Sequence, residues 1–178
     1  MSFLFGRGDR ETKEEVSREG EGAEVQIRKY RTNDRKAVLA IASESFEGVC
    51  LDENIEEKFG KVGSPWREHK RDAVDYDLSN HPSSAFVALI DGEVVGFACN
   101  RLYNSRSLGH VANLAVTEQY QGEGIGKALM KASLDYFRQM GLKYARIETL
   151  EQNDKGVKFY PGLGFEEVGR QVFYFKEL

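Results

Sequence analysis

With 178 residues, 40% of them hydrophobic and 11% aromatic, the chain can bury one good core and is short for two, which predicts a single domain. A formal charge of −4 excludes the basic face that a phosphate backbone requires, so nucleic acid is not an expected partner. Cys50 and Cys99 are too few for a disulfide framework and lack metal-ligand spacing, so no metal is expected, and no apolar stretch approaches membrane-spanning length.

Met1 to Gly8 lack the apolar run and small-residue cleavage site of a secretory signal, which makes cytoplasmic residence the expectation. Residues 1–24 carry four basic side chains (Arg7, Arg10, Lys13, Arg18) against seven acidic ones, and so hold most of the net charge. This segment reads as a flexible tail, with a short helix over Glu11 to Arg18 as its one local alternative. The domain proper is expected over 25–178. Val25 to Tyr30 alternates as a strand, and Thr32, Asn33 or Asp34 can cap a helix that places Val38, Ile41, Ala42 and Ser45 on one face. Residues 52–79 predict one or two helices broken near Gly60 to Pro65. Ser84 to Ile90 and Glu93 to Tyr103 are β-rich and joined by Asp91-Gly92, a strong hairpin turn. Gly109 to Thr117 is a further strand, with Cys99 on the preceding one reading as a small buried hydrophobe. Ile125, Leu129, Ala132, Tyr136 and Met140 then form a helical stripe that ends at Gly141 as a C′ residue. Lys143 to Leu150 predicts another strand, Asn153 to Tyr160 a short helix, and Phe165 to Lys176 a terminal strand or two. A sheet covered by helices follows, an α/β layered domain.

Between strand and helix lies Gln121-Gly122-Glu123-Gly124-Ile125-Gly126-Lys127. Glycines at alternate positions let the backbone approach a ligand closely, and the first unpaired N–H groups of the helix point at whatever sits there, which is an anion site. Lys127 in the first turn opposes the helix dipole unless an anion occupies that end. A Walker A loop requires glycine and Ser or Thr where Gln121 and Ala128 stand, and so fails twice, which disfavours a nucleotide triphosphatase. The dinucleotide fingerprint fails in either register, because Lys127 and Leu129 stand where its third glycine belongs. The segment does match Gln/Arg-x-x-Gly-x-Gly/Ala, directly after Leu114-Ala115-Val116. The plain alternative is a tight strand-to-helix turn without a ligand.

On these residues the chain resembles the GNAT acetyltransferases. The likeness extends to Ile27-Arg28 followed by Asp34 and an apolar helix. It returns in Asn153-x-x-Gly156-x-x-Phe159-Tyr160 leading to Gly164-Phe165, and so covers roughly residues 25–178. The resemblance implies the GNAT fold, a mixed central sheet of six to seven strands flanked by about four helices. It implies acetyl-CoA as co-substrate, with direct transfer to a primary amine. In similar proteins the loop from Gln121 through Gly122, Glu123, Gly124, Ile125 and Gly126 to Lys127 cradles the coenzyme A pyrophosphate. Leu114, Ala115 and Val116 hold the pantetheine arm and acetyl carbonyl beside a β-bulge, and Asn153 reaches the pantetheine amides besides capping its helix. Glu123 is expected to face solvent, since a diphosphate would repel it.

The resemblance also places Tyr160 beside the coenzyme A sulfur, where it can protonate the departing thiolate. Packing in the surrounding aromatic cluster is the rival reading. Pro161 is expected to push Tyr160 out of the αR region and end the helix early. An amine must lose a proton before attack, and His110 and Glu148 are the candidate bases. No cysteine nucleophile is expected, Cys99 lacking an activating neighbour. Residues Phe46 to Pro82 are expected to build the acceptor half of the site, and the terminal strands to offer a surface for a homodimer. A non-catalytic acyl-CoA-binding or regulatory module of the same shape is the alternative from another functional class.

Overall fold

A computed structural model describes residues 24–178. The tail read over 1–24, with its local helix, lies outside the described residues apart from Glu24.

Five strands form one sheet in chain order: β1 (Gln26–Lys29), β2 (Phe86–Ile90), β3 (Glu93–Tyr103), β4 (Leu108–Val116) and β5 (Tyr144–Arg146). Neighbours are antiparallel except β4 and β5, which run parallel. Five α-helices accompany them: α1 (Arg35–Glu44), α2 (Leu51–Phe59), α3 (Trp66–Asn80), α4 (Ile125–Gln139) and α5 (Asp154–Phe159). The mixed sheet flanked by helices is the architecture expected, but with five strands among the described residues rather than six to seven, and five α-helices rather than about four.

Both faces of the sheet are covered. On one face Val38 and Ile41 of α1 and Val74 and Leu78 of α3 pack against Val87, Leu89, Phe97, Cys99 and Ala115. On the other, Ile125 and Leu129 of α4 pack against Phe86, Ala88, Ile90, Ala98 and Val116. That double covering is why β2 reads Phe-Val-Ala-Leu-Ile without polar alternation. The Asp91-Gly92 turn has both residues at positive φ (50° and 83°), as a tight two-residue hairpin demands.

Helix α4 ends as its sequence predicts. Gly141 takes φ +73°, its N–H donates to Arg138 O, and Leu142 N–H donates to Phe137 O, the paired bonds of a Schellman cap. The stripe itself is corrected at one position: Met140 is 47% exposed, because the helix stops before it, while Met130, Ser133 and Phe137 are buried.

Two strand expectations are also corrected. The strand expected over Lys143 to Leu150 is confined to Tyr144–Arg146, which pair with Leu108 to His110. Just past His110, β4 carries a bulge: Cys99 opposes Asn113 while Asn100 opposes Val111, so Ala112 is the extra residue. The bulge bends β4 away, and residues 147–150 find no partner. No regular strand forms over Phe165 to Lys176. There the side chains are engaged elsewhere, Phe175 against the Phe59 ring at 5.1 Å and Arg170 with Glu151 and Glu167.

Candidate active site

The bulge opens a cleft. From Val111 onward β4 has β3 on one side and no strand on the other. Thr117 N–H donates to Val95 O of β3 at 2.9 Å, and antiparallel alternation then turns the peptide groups of Leu114 and Val116 toward the open side. Consistent with this, Val116 O accepts from Gln121 Nε2 at 3.0 Å. Ala115 lies between them with its side chain in the core.

The glycine loop sits at the end of this edge. Gly122 and Gly124 take φ +87° and +83°, a conformation that side chains disfavour, and Gln121, Gly122, Glu123, Gly124 and Lys127 are all exposed. Gly124 is the N-cap of α4, and the first helical bond runs from Ala128 N–H to Gly124 O. The N–H groups of Ile125, Gly126 and Lys127 are therefore left without helical acceptors. Gly126 has only van der Waals neighbours, Phe159 and Val116, around the place a Cβ would occupy. A curled run of outward donors at the positive end of a 15-residue helix suits a diphosphate.

The far wall is the segment after β5. Asn153 caps α5 by accepting from Gly156 N–H at 3.0 Å, and its amide donates to Thr149 Oγ1 at 2.9 Å. A Cβ on Gly156 would come within 2.8 Å of both side chains, which explains glycine there. Tyr160 follows, with its ring edge-on to Phe159 and Phe165. Burial pushes its phenol up to about 12, and Glu148 acts in the same direction. The helix ends at Phe159 as expected, but Tyr160 keeps αR geometry (φ −69°, ψ −41°), so the expected displacement by Pro161 is corrected. A residue before proline is only disfavoured in that region. Here a 3₁₀ turn over Pro161–Leu163 continues the helix, and Tyr160 O accepts from both Leu163 and Phe165 N–H.

At the vertex of the cleft, Nε2 of the buried His110 stands 3.0 Å from Oε2 of Glu148. Proximity marks this pair, since among the described residues neither ring nitrogen has a well-aligned hydrogen-bond partner. The imidazole stacks on Tyr103. His110 first, then Arg146 and Arg101, holds the Glu148 carboxyl below the usual carboxylate range against partial burial. Cys99 is buried and burial drives its thiol well above its ordinary value, leaving no reactive thiolate.

Helices α2 and α3 lie over the cleft and touch both walls. Lys70 Nζ donates to Asn113 Oδ1 of β4 at 2.6 Å. On the far wall, the amides of Gln152 and Asn54 pair reciprocally at 2.8 and 2.9 Å, and Gln152 also donates to Gly48 O.

Residues 38–165 match the Acetyltransferase (GNAT) family. The chain belongs to the GNAT acetyltransferases. It is 31% identical over 158 residues to an N-alpha-acetyltransferase of Sulfurisphaera tokodaii, covering 83% of each chain. Among solved structures it resembles Ard1 from Thermoplasma volcanium (25% identity, TM-score 0.62, covering 82% of this chain and 84% of that one). It also resembles the PaiA N-acetyltransferase of Thermoplasma acidophilum in complex with coenzyme A (22% identity, TM-score 0.65, covering 80% and 90%). As a GNAT enzyme it transfers acetyl to an amine, with acetyl-CoA as co-substrate. No helix among the described residues is long and apolar enough to cross a membrane, and no group of three or more His, Cys, Asp or Glu among them could hold a metal.

Several residues at this GNAT cleft escaped the sequence reading. Lys155 Nζ donates to Gln121 Oε1 at 3.0 Å and so brings a second cation beside Lys127 at the loop. Lys70 and Asp77 had a legible signal: with Trp66, Val74 and Leu78 they fall on the buried stripe of α3, where a charge is out of place. Asn113 and Gln152 carried none, since only the folded chain brings them opposite α3 and α2.

Proposed function

We propose that the enzyme moves acetyl directly from acetyl-CoA to the α-amine of a polypeptide or peptide. The observation that carries this reading is the parting of β4 from β5 beside the glycine turn, with Glu148 and His110 at the vertex. The α-amine assignment is supported by the relative named an N-alpha-acetyltransferase, which is similar over most of both chains. It also suits the chemistry. An α-amine has a pKa of about 7.7–8.0, against about 10.4 for lysine, so a sizeable neutral fraction exists near neutrality and a weak base suffices.

Each residue takes a role in the chain's own terms. N–H groups of the turn from Gln121 through Gly122, Glu123, Gly124, Ile125 and Gly126 to Lys127 bind the diphosphate, with Lys127 and Lys155 adding charge. Asn153 and the strand Leu114-Ala115-Val116 align the arm between the two walls. Acetyl-CoA supplies the acetyl group as a thioester. N–H groups of Leu114 and Val116 stabilise the negative charge that grows on the carbonyl oxygen. Glu148, backed by His110, takes the proton that the amine must shed. A nitrogen–carbon bond forms, the carbon–sulfur bond breaks, and Tyr160, neutral at working pH, gives the departing sulfur a proton; solvent then reprotonates Tyr160 and takes the amine's proton from Glu148. With both cysteines buried, no acetyl-cysteine stage is invoked.

The test is incubation with labelled acetyl-CoA and a panel of acceptors: peptides with free N-termini, the same peptides blocked at the N-terminus but carrying lysine, and polyamines. Label on free N-termini alone is expected. Label on lysine or polyamines in preference to N-termini overturns the assignment.

A further inference from the structure

Lys70 is a cation in an unusual place. It lies on the stripe of α3 that faces the sheet, between Trp66 and Val74, both buried. Its Nζ donates to Asn113 Oδ1 at 2.6 Å and sits 3.9 Å from the centre of the Phe46 ring. Asn113 in turn donates to Asp77 Oδ2 at 2.9 Å, and Asp77 Oδ1 accepts from Arg101 Nε at 2.6 Å. The fully buried Asp77 carboxylate is thus already matched by a guanidinium, and among the described residues Lys70 has no carboxylate of its own within ion-pair distance.

An ammonium has three donors. One is used by Asn113 and one side faces an aromatic ring, which attracts the charge without accepting as an oxygen does. Burial lowers the pKa of Lys70, offset in part by Cys50, Asp52 and Asp77. A half-buried cation in this state gains from any further oxygen that approaches.

The place from which such an oxygen would come is the acceptor side of the cleft. Asn113 immediately precedes Leu114, whose peptide group faces the opening. The Ala112 bulge sets Asn113 and His110 on the same face of β4. An amine at Glu148 is therefore on the face of β4 that also carries the Asn113 contact of Lys70.

We propose that Lys70 is a specificity-determining residue that donates a hydrogen bond to the carbonyl oxygen next to the acceptor amine, so that the site takes amines bearing an adjacent carbonyl. This rests on the α-amine reading above and sharpens it. The first carbonyl of a polypeptide satisfies Lys70, whereas a polyamine brings additional positive charge toward the Lys70 and Arg101 cations and offers no oxygen.

The experiment compares alanine amide, a short peptide with a free N-terminal alanine, and isopropylamine, which lacks the carbonyl, on the wild-type enzyme, Lys70→Met and Lys70→Arg. Lys70→Met is expected to lower kcat/KM for the two carbonyl-bearing acceptors by roughly 10- to 100-fold, the range for a hydrogen bond with a charged partner. It should leave isopropylamine turnover and coenzyme A affinity within about twofold, and Lys70→Arg should restore a part of the peptide activity. Equal losses on all acceptors, or none on the peptide, would overturn the role of Lys70. If Lys70→Met does not fold, the wild-type enzyme still decides. Corrected for neutral amine, its preference for alanine amide over isopropylamine must be at least about tenfold, as one such bond implies, and a smaller preference sinks the proposal. Failure of the underlying reading looks different: wild-type enzyme that binds coenzyme A yet acetylates no peptide.

Discussion

Tyr160, the proposed proton donor to sulfur, is held neutral and in place. Its phenol is mostly buried with a pKa pushed up to about 12, so it keeps its proton at any working pH, and its ring is fixed between Phe159 and Phe165. A thiolate is a modest base, with a thiol pKa of about 8.5, so positioning outweighs protonation. Tyr160→Phe is expected to slow turnover toward the low end of the roughly 10²- to 10⁴-fold range for acid–base groups. Steady-state kinetics showing a loss much below tenfold, with the fold intact, would count against the role. Asp34 shows a different residue-scale effect. Its carboxylate accepts two bonds from Arg28, at 2.6 and 2.8 Å, and one from Arg31 N–H, and the Arg28 bonds chiefly hold its pKa below the ordinary value. With the folded pKa below the unfolded one, this stabilisation is fully present above about pH 4 and is lost as pH falls through the lower folded value. Asp34→Asn should therefore cost about 1–3 kcal/mol at pH 7, measured by urea unfolding, and the gap to wild type should shrink by pH 3. A constant gap would contradict the assignment. The sequence offered Thr32, Asn33 or Asp34 as the helix cap, and Asp34 is the one that stands at that position. Its side chain serves β1 instead, a choice that depended on where Arg28 came to lie.

Among the elements, β4 positions the most chemistry; its span was read to within a residue, but its bulge was not. Its start is set by Gly109, which faces Phe137 of α4 so closely that a Cβ would stand 2.4 Å from the ring. Gly109→Ala is expected to destabilise the fold by about 1–3 kcal/mol, the usual penalty for overpacking. An unchanged urea midpoint would show that Phe137 can move aside. The Asp91-Gly92 hairpin and the Gly141 cap were legible because each is a local event in which φ alone selects the residue. The bulge at Ala112 was not, because a bulge is defined by its partner strand, and Cys99 and Asn113 are far apart in sequence. The shortened β5 follows from the same bulge. The terminal segment misled for another reason. Its Val172, Phe173, Tyr174 and Phe175 have strand propensity, yet propensity does not reveal that Phe175 meets Phe59 of α2.

At the scale of the whole molecule, two apolar clusters on opposite faces of the sheet hold the helices that define the cleft. Contacts from α3 to β4 and from α2 to the segment after β5 close it from above. The glycine turn was recognisable because its spacing is contiguous in sequence. Of the acceptor side, Glu148 and the span from Phe46 to Pro82 were expected, whereas Lys70, Asn113 and Gln152 come from three separate stretches and meet only in the fold. Everything proposed for this cleft depends on main-chain donors at the start of α4 gripping a diphosphate and so aiming a thioester between β4 and the wall beyond β5. Calorimetric titration of the protein with coenzyme A tests it most directly. Saturable binding at one site per chain is predicted, weakened by Gly124→Val, which would force a β-branched residue into φ +83°. Absence of binding by the wild-type protein would show that the glycine turn is not a coenzyme A site.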